Sequence, residues 1–314
     1  MSAAPLIAIV GPTGCGKSDL ALRICEELGG EVVNCDSLQI YRYFDIGTAK
    51  TPLAERRGIP HHMLDIVNPD ETFTAGDYAR IVRPLLASIS PSALPVVTGG
   101  TGFYLRALLD GLFPAPSRSE EVRARLAARE GRRPGSLHRL LRRFDKAASS
   151  AIHANDTPKL IRALEVYLLT RQPITAWYAQ GRDALTGFCA LKIGLAPPRA
   201  ALYERLNTRC RRMFDEGLLG EVKRILDMGW PESAKPFESH GYRQVLQTLR
   251  GEMTLEQALL EAQRNTRRYA KRQITWFRKE HGVEWLAGFG DEPDIQRAAI
   301  DRIRQCVNFA GSLP

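Results

Sequence analysis

Short apolar runs alternate with amphipathic stretches through the first hundred residues. The apolar runs lie at residues 6–10, 31–35 and 95–98. Apolar positions at helical spacing predict a helix over residues 18–28 and another from Thr74, where Thr74 and Asp77 have capping-box spacing. This alternation is typical of βαβ units. We therefore predict an α/β fold with a parallel sheet flanked by helices.

From residue 114 to about residue 182 the pattern changes, because β-branched runs vanish and Arg, Ala and Leu recur at helical spacing. We predict a helical insertion domain over residues 114–185. The run Leu191–Leu195 then predicts a return to the sheet, followed by helices over about 200–280 and a final amphipathic helix near 293–309. Residues 1–113 and 186–314 are accordingly predicted to be two parts of one core.

The composition is that of a globular chain with an excess of positive charge. The 314 residues are 44% hydrophobic, and 44 Lys and Arg against 35 Asp and Glu give a net charge of +9. This imbalance favours a polyanionic partner or an anionic substrate. The six cysteines include no C-x-x-C pair and no set with zinc spacing, so we predict reduced, mostly buried thiols. The apolar run at residues 6–10 is too short to span a membrane, and we expect a cytoplasmic protein without a membrane partner.

One stretch carries a specific phosphate-binding motif. Residues 11–18 match G-x-x-x-x-G-K-[ST] between a predicted strand and a predicted helix. Its residues are Gly11, Pro12, Thr13, Gly14, Cys15, Gly16, Lys17 and Ser18. Glycines let backbone N–H groups converge on phosphate oxygens, and the helix start adds partial positive charge. Lys17 is placed to neutralise the far phosphate and Ser18 to ligate Mg²⁺, so the chain is predicted to have a P-loop core that binds a polyphosphate.

The aspartate that ATP-hydrolysing P-loop proteins carry at the end of a later strand is missing here. The strand at residues 95–98 runs into Gly99-Gly100-Thr101-Gly102 instead. Asp36 follows the strand at residues 31–35. Because the carboxyl ends of parallel strands border the ligand crevice, Asp36 and Thr101 are both predicted to face the phosphate site. A turn or helix-cap role for Asp36 fits its position equally well.

Several blocks in order along the chain resemble the bacterial tRNA dimethylallyltransferases, also called tRNA isopentenyltransferases. The resemblance spans roughly residues 6–280, which makes it far more specific than the phosphate loop alone. Beyond that loop, the blocks are residues 35–41, 45–50, 60–65, 99–105, 152–156, 162–166, 241–244 and 266–273. Ala154, Lys159, Arg171 and the pair Ser239-His240 depart from the family's usual residues, at positions that bear on tRNA contacts.

The resemblance implies prenyl transfer. The P-loop is then expected to hold the diphosphate of dimethylallyl diphosphate, and the acceptor is N6 of the adenosine 3′ of the tRNA anticodon, at position 37. Asp36 is the candidate base for the amine proton. Lys17, Mg²⁺ and the loop N–H groups are expected to neutralise the departing diphosphate, and Thr13 and Thr101 to hydrogen-bond the diphosphate or the base. The expected catalytic residues are thus Asp36, Thr101 and Lys17.

The same resemblance implies contacts with a flipped base and with the tRNA anticodon stem-loop. Ser37, Leu38 and Gln39 lie beside Asp36 and are expected to contact the base, together with Thr101. In the insertion, the expected contacts are Arg123, Lys159 and Arg162. We expect the enzyme to act as a monomer.

A basic segment between residues 262 and 279 also fits a tRNA partner, because it holds seven Lys or Arg, no acid, and interleaved aromatic residues. Its predicted tRNA contacts are Arg267, Arg268, Lys271 and Arg272. The alternative is a solvated helix whose Tyr269, Gln273 and Trp276 pack inward, and inward packing explains the aromatic residues better. For His61, His62 and His153 we predict structural hydrogen bonds.

Two other functions share parts of this pattern. A P-loop small-molecule or nucleotide kinase has the same loop and sheet and consumes ATP. A non-enzymatic RNA-binding protein would use the basic helices as a clamp, with the P-loop as a relic.

Overall fold

The computed structural model describes residues 3–309, and side chains as far as residue 306. The chain forms two compact units. Residues 3–109 and 185–309 belong to the first unit, and Asp110–Ala184 form the second. The sequence placed this insertion at residues 114–185.

A parallel sheet forms the centre of the first unit. Its strands in the described residues are β1 (Ala4–Val10), β2 (Gly30–Asn34), β3 (His61–His62), β4 (Leu94–Thr98), β5 (Phe188–Leu195) and β6 (Val283–Leu286), in the spatial order β3-β2-β4-β1-β5-β6. The predicted α/β class is confirmed, and so are the strands predicted near residues 6–10, 31–35, 95–98 and 191–195. The sequence patterns did not predict β3 and β6.

Helices occupy most of the remaining chain. In the first stretch and the second unit they are α1 (Lys17–Leu28), α2 (Ala75–Ser88), α3 (Gly102–Leu109), α4 (Glu120–Arg132), α5 (Ser136–Phe144), α6 (Lys146–Ala151), α7 (Thr157–Thr170) and α8 (Ile174–Tyr178). The later helices are α9 (Arg199–Asp215), α10 (Leu218–Asp227), α11 (Tyr242–Leu249), α12 (Leu255–Phe277) and α13 (Pro293–Phe309). Short 3₁₀ turns lie at Leu53–Arg56 and Lys235–Glu238. Among the helices within residues 3–309, none is long and apolar enough to cross a membrane.

Packing of the first unit follows from the alternation of side chains along its strands. Ile7 and Ile9 of β1 point to one face of the sheet, where they join a buried cluster with Leu20 of α1, Leu206 of α9 and Ile300 of α13. Because β1 pairs with β4 on one side and β5 on the other, it is covered on both edges as well as on this face. The strand that leads into the phosphate loop is therefore held rigidly.

Helix α2 begins as the sequence predicted. Thr74 accepts a hydrogen bond at Oγ1 from the backbone N–H of Asp77 (3.2 Å), and Asp77 Oδ2 accepts from the backbone N–H of Thr74 (3.0 Å). This reciprocal capping box satisfies two N–H groups that the first turn leaves without helical partners.

The second unit has its own apolar core and a buried carboxylate. Leu137, Leu141, Leu160 and Leu164 are fully buried there. Glu165, also fully buried, accepts hydrogen bonds from the Ser119 N–H (2.8 Å), Arg123 (3.2 Å) and Arg162 (2.7 Å). A buried carboxylate is stable only when hydrogen-bonded or paired, so these three groups are part of the framework of the second unit.

Arg171 ends α7 in the left-handed conformation, with φ 59° and ψ 15°. This region favours glycine, because a side chain on Cα crowds the backbone there.

Loops at the carboxyl ends of the strands meet along one edge of the sheet. Residues 11–16 follow β1, Asp36 follows β2, and residues 99–101 follow β4. Ligands of open parallel sheets bind at this edge.

Candidate active site

The phosphate loop occupies the turn between β1 and α1, as its sequence context predicted. Gly11, Gly14 and Gly16 have φ of 146°, 77° and 83°, which only glycine adopts without strain. At Gly11 a Cβ atom would lie 2.9 Å from the carbonyl oxygen of Leu195. Lys17, the first residue of α1, donates from Nζ to the carbonyl oxygens of Gly11 (3.1 Å) and Pro12 (2.8 Å). The lysine ammonium therefore lies against the loop. The N-terminus of α1, which follows the loop, adds the partial positive charge of the helix dipole.

A glutamine from α12 braces this loop from the far end of the chain. The buried Gln273 accepts a hydrogen bond at Oε1 from the Thr13 N–H (2.8 Å) and donates from Nε2 to the Gly100 carbonyl (2.9 Å). One side chain thus connects the loops after β1 and β4. The sequence pattern predicted that Gln273 packs inward, but it did not predict that Gln273 lies at the site.

Asp36 shows both features that the sequence left open. Its Oδ1 accepts from the Leu38 N–H at 2.9 Å, which closes a turn, and Oδ2 accepts no hydrogen bond from the described residues. Thr101 lies beside this turn. It accepts at Oγ1 from the Ser37 N–H (3.0 Å) and donates to Ser37 Oγ (3.2 Å).

A cavity of 1120 Å³ brings most of the predicted donor-site residues together. Its lining includes Thr13, Gly14, Gly16, Lys17, Ser18, Asp36 and Gln39, together with the loop at Thr98, Gly99 and Gly100. The other loop residues Gly11, Pro12 and Cys15 are buried and do not line the cavity. Ser37 and Thr101 do not line this cavity, and their side chains hydrogen-bond to each other.

Three arginines of α9 line the same cavity, and the sequence analysis did not single them out. They are Arg205, Arg209 and Arg212, at a spacing that places them on one helix face. Arg205 pairs with Asp291 (2.7 Å) and Arg212 with Glu216 (3.3 Å). The half-buried Arg209 forms no hydrogen bond or ion pair with any described residue, and burial lowers its pKa from the ordinary value. An arginine stripe at i, i+4 and i+7 was the available signal.

A smaller recess of 80 Å³ lies next to the main cavity and shares Thr13, Asp36, Thr48, Arg209 and Met213 with it. Its remaining wall is mainly apolar. That wall includes Leu38, Leu206, Phe214, Leu218, Ala262, Tyr269 and His240. The site therefore joins a charged compartment at the P-loop to an apolar one beside Asp36.

The cysteines near the site are protonated thiols. Burial raises the pKa of Cys35 to about 12 and raises that of Cys15 as well. All six cysteines are free, and Cys15, Cys25, Cys35 and Cys210 are buried, as predicted, whereas Cys189 and Cys306 are exposed. Burial therefore disfavours the thiolate, the nucleophilic form, at both cysteines.

The described residues hold no group of three or more His, Cys, Asp or Glu that would bind a metal ion alone. Ser18 lies in the first turn of α1, exposed to the main cavity. A hydroxyl at this place suits a Mg²⁺ ion whose other ligands are phosphate oxygens and water.

The predicted tRNA contacts of α12 are surface residues of the first unit. Arg268, Lys271 and Arg272 are exposed, and the Arg272 guanidinium lies 5.5 Å from the centre of the Tyr269 ring. Arg267 is half-buried and donates to Asn207 Oδ1. The inward stripe exists too, since Gln273 is buried and Trp276 is half-buried beneath Arg106.

The predicted contacts of the second unit hold acidic partners. Arg123 and Arg162 donate to the buried Glu165 at 3.2 and 2.7 Å, and the Ser119 N–H donates to it at 2.8 Å. Lys159 is exposed and pairs with Asp156 at 2.5 Å. Arg123 and Arg162 therefore have a structural task, whatever else they contact.

The predicted structural hydrogen bonds of three histidines are present. His61 Nδ1 lies 2.9 Å from the Ile59 carbonyl, and His62 Nε2 lies 2.7 Å from Glu31 Oε2. His153 Nδ1 accepts from the Asn155 N–H at 3.2 Å.

A P-loop after β1 of a parallel sheet, a carboxylate after β2 and an arginine-lined cavity define a P-loop protein that handles a polyphosphate group. Residues 39–280 match the family described as IPP transferase. The chain belongs to the IPP transferase family.

Two curated relatives are similar in sequence over nearly the whole chain. It is 60% identical to the tRNA dimethylallyltransferase of Solibacter usitatus (strain Ellin6076) over 300 residues, which cover 95% of this chain and 98% of the relative. It is 51% identical over 306 residues to the tRNA dimethylallyltransferase of Koribacter versatilis (strain Ellin345), which cover 97% and 99%.

Two solved structures are similar in fold over nearly the whole chain. The full-length tRNA isopentenylpyrophosphate transferase from Bacillus halodurans is 35% identical, with a TM-score of 0.71 and coverage of 98% of this chain and 100% of that one. A eukaryotic dimethylallyltransferase acting on tRNA is 26% identical, with a TM-score of 0.82 and coverage of 99% and 81%.

Proposed function

We propose that this protein transfers a dimethylallyl group from dimethylallyl diphosphate to N6 of the adenosine 3′ of the anticodon, at position 37 of tRNA, and releases diphosphate. One observation carries the proposal. Asp36 lines the cavity that the P-loop and Arg209 also line, and its Oδ2 has no hydrogen-bond partner among the described residues, in a chain of the IPP transferase family.

The charged compartment supports diphosphate as the leaving group. Lys17, the N–H groups at the start of α1 and Arg209 all face the cavity with positive or partial positive charge. When the bond between C1 of the prenyl group and the diphosphate oxygen breaks, the electron pair leaves with diphosphate. Fixed donors stabilise the charge that develops there.

Asp36 supports the other half of the reaction. The adenine N6 forms the new bond to C1 and loses a proton, which Asp36 Oδ2 accepts. Because Oδ1 is already bonded to the Leu38 N–H, the carboxylate is held in one orientation. The apolar recess beside it offers a water-poor place for the five-carbon tail.

Ser18 and the diphosphate oxygens would hold Mg²⁺, which when bound supplies further neutralisation of the leaving group. This assignment fits the absence of a carboxylate cluster from the described residues, because phosphate oxygens replace protein ligands.

The exposed Arg268, Lys271 and Arg272 are proposed to contact tRNA phosphates, with Arg123, Lys159 and Arg162 as further contacts on the second unit. Leu38 and Gln39 line the two cavities beside Asp36, where the base would lie. Ser37 and Thr101, which are bonded to each other, are proposed as further contacts with the base next to them. Because the P-loop, Asp36 and Arg209 come from one chain, we propose a monomer as the active form. A tRNA substrate makes the cytoplasm its place of action.

A label-transfer assay tests the function. The protein is incubated with Mg²⁺, an unmodified anticodon stem-loop and either dimethylallyl diphosphate labelled in the prenyl group or ATP labelled in the γ-phosphate. We expect prenyl label in the RNA, lost when the target adenosine is replaced by guanosine. Movement of phosphate from ATP would instead establish a kinase, and tight RNA binding with no transfer of either label would establish a binding protein.

A further inference from the structure

The loop of residues 44–50 follows Gln39 in the chain and lines the main cavity with it. A buried carboxylate from α10 fixes this loop. Glu221 is 2% exposed, and its Oε2 accepts from the backbone N–H groups of Asp45 (3.2 Å) and Ile46 (2.8 Å). Tyr242 of α11 donates its hydroxyl to Glu221 Oε1 at 2.5 Å and accepts from the Gly47 N–H at 3.1 Å. Burial and the adjacent carboxylate raise the pKa of Tyr242 well above its ordinary value, which keeps its proton in place.

A second buried charge holds the same loop from its other end. The Lys50 ammonium donates to Asp45 Oδ1 and Asp65 Oδ1, each at 2.6 Å, and to the Tyr41 carbonyl at 2.9 Å. Its side chain is 4% exposed. With Glu221 and Lys50 both satisfied by several partners, the loop has one well-defined conformation.

This loop determines which end of the Gln39 amide is available. Gln39 Nε2 donates to the carbonyl oxygens of Thr48 (3.1 Å) and Ala49 (3.2 Å). Both partners are acceptors, so the nitrogen must face them and the assignment of the amide is fixed. The Gln39 oxygen Oε1 is left as an acceptor, on a residue that lines the main cavity together with Asp36.

We propose that Glu221 and Tyr242 are positioning residues that, through the loop of residues 44–50, fix Gln39 as a hydrogen-bond acceptor and so select a base whose exocyclic group is an amine donor rather than a carbonyl. The inference rests on the proposed function, because adenine presents an exocyclic amine where hypoxanthine presents a carbonyl oxygen. A carbonyl facing Gln39 Oε1 would leave two acceptors opposed and unpaired.

Binding in the absence of donor tests the proposal without requiring turnover. Two anticodon stem-loops are compared that differ only in adenosine or inosine at the target position. Wild-type protein should bind the adenosine RNA at least about tenfold more tightly, the factor expected for one hydrogen bond of ordinary strength. We call the hydrogen bonds of Glu221 and Tyr242 to residues 45–47 the clamp of this loop. In Tyr242→Phe and Glu221→Gln the ratio should fall to about threefold or less, since the clamp is weakened. Donor affinity should not change.

A matched control separates positioning from general destabilisation. Tyr41→Phe also removes the hydroxyl of a fully buried tyrosine, but that hydroxyl donates to the Glu71 carbonyl at 3.2 Å, away from the clamp. It should keep the wild-type ratio. Gln39→Met, which keeps the length of the side chain but removes the amide, should lose the ratio even if Glu221→Gln does not fold.

Each outcome has one meaning. Equal binding of the two RNAs by wild-type protein, or a full ratio in folded Tyr242→Phe and Gln39→Met, overturns the inference. Failure of wild-type protein to transfer the prenyl label overturns the proposed function instead, and the binding ratio remains measurable in that case.

Discussion

The two oxygens of the Asp36 carboxylate have separate tasks. Oδ1 closes the turn to Leu38, and Oδ2 is available at the cavity. A residue that stabilises a loop and a residue that accepts a proton are therefore not competing explanations for this aspartate. The substitution that tells them apart must keep the first task and remove the second.

Asp36→Asn does this, because the amide oxygen still accepts from the Leu38 N–H while the amide nitrogen cannot take a proton. We expect turnover to fall about 10²- to 10⁴-fold with donor and tRNA affinities near wild type. Single-turnover kinetics with both substrates saturating measures the loss. Glu55→Gln, which neutralises another acid lining the cavity, is the control. More than half of wild-type turnover in Asp36→Asn would make Asp36 a structural residue.

Arg209 is a cavity-lining arginine without a partner among the described residues. Arg209→Gln should lower turnover about 10²- to 10³-fold if the guanidinium stabilises the departing diphosphate. Arg211→Gln, two residues further along α9 and exposed, removes the same charge outside the cavity. The rates of the two variants are compared at saturating donor. Equal rates would contradict a role for Arg209 in the chemistry.

Arg171 carries a conformational cost that glycine would not. Arg171→Gly should raise the free energy of unfolding by about 0.5–1 kcal/mol, since the left-handed residue at the end of α7 no longer crowds its backbone. Denaturant unfolding measures the change. Arg171→Ala keeps the Cβ atom and should show no gain, so a matching gain there would attribute the effect to the lost charge.

At the scale of elements, α12 serves two purposes on two faces. Its buried face supplies Gln273 to the P-loop, while its exposed face presents Arg268 and Lys271, which form no ion pair with the described residues. The inward stripe and the RNA-binding surface, posed by the sequence as alternatives, lie on different sides of one helix.

Arg268→Gln with Lys271→Gln should therefore weaken tRNA binding without harming the P-loop. If both cations contact phosphates, the slope of log affinity against log salt should decrease by about 1 to 1.5. Arg297→Gln with Arg304→Gln on α13 removes equal charge elsewhere. Filter binding at several salt concentrations gives the slopes. An unchanged slope in the well-folded α12 variant would remove this helix from the RNA site.

Periodic segments of the fold were predictable, and short ones were not. The strands flanking the P-loop and the capped α2 follow from strong local patterns. Strand β3 is two residues long, and β6 has exposed Trp285 in its centre, so neither carries a run that marks a strand. At the site, the loop motif and Asp36 could be found from spacing. The spacing of the α9 arginines shows that Arg209 shares a helix face with Arg205 and Arg212, but neither this spacing nor the pattern around Gln273 shows that the fold turns these faces toward the P-loop.

At the scale of the molecule, the second unit is inserted through a narrow neck. The Leu185 N–H donates to the Leu109 carbonyl at 2.9 Å, so the chain leaves and re-enters the first unit at one point. The residues lining the main cavity all belong to the first unit.

Replacing residues 110–184 by a short Gly/Ser linker should preserve a folded first unit. Donor affinity should stay within about threefold, while tRNA affinity should fall by at least about tenfold through the loss of basic residues. Calorimetry with dimethylallyl diphosphate and filter binding with tRNA measure the two. Loss of donor binding in a variant that unfolds cooperatively would show that the insertion supports the P-loop.

The residues that form the brace on the P-loop are synthesised at very different times. The Thr13 N–H receives its partner from Gln273, 260 positions later, and β1 pairs with the late strand β5. At bacterial translation rates, roughly 10–50 s separate the synthesis of the two ends of that bond. The phosphate loop therefore leaves the ribosome before β5 and Gln273, which support it, have been synthesised. A transcript truncated before codon 273 yields a P-loop without its brace, so the loop is fully supported only after residue 273 has been synthesised.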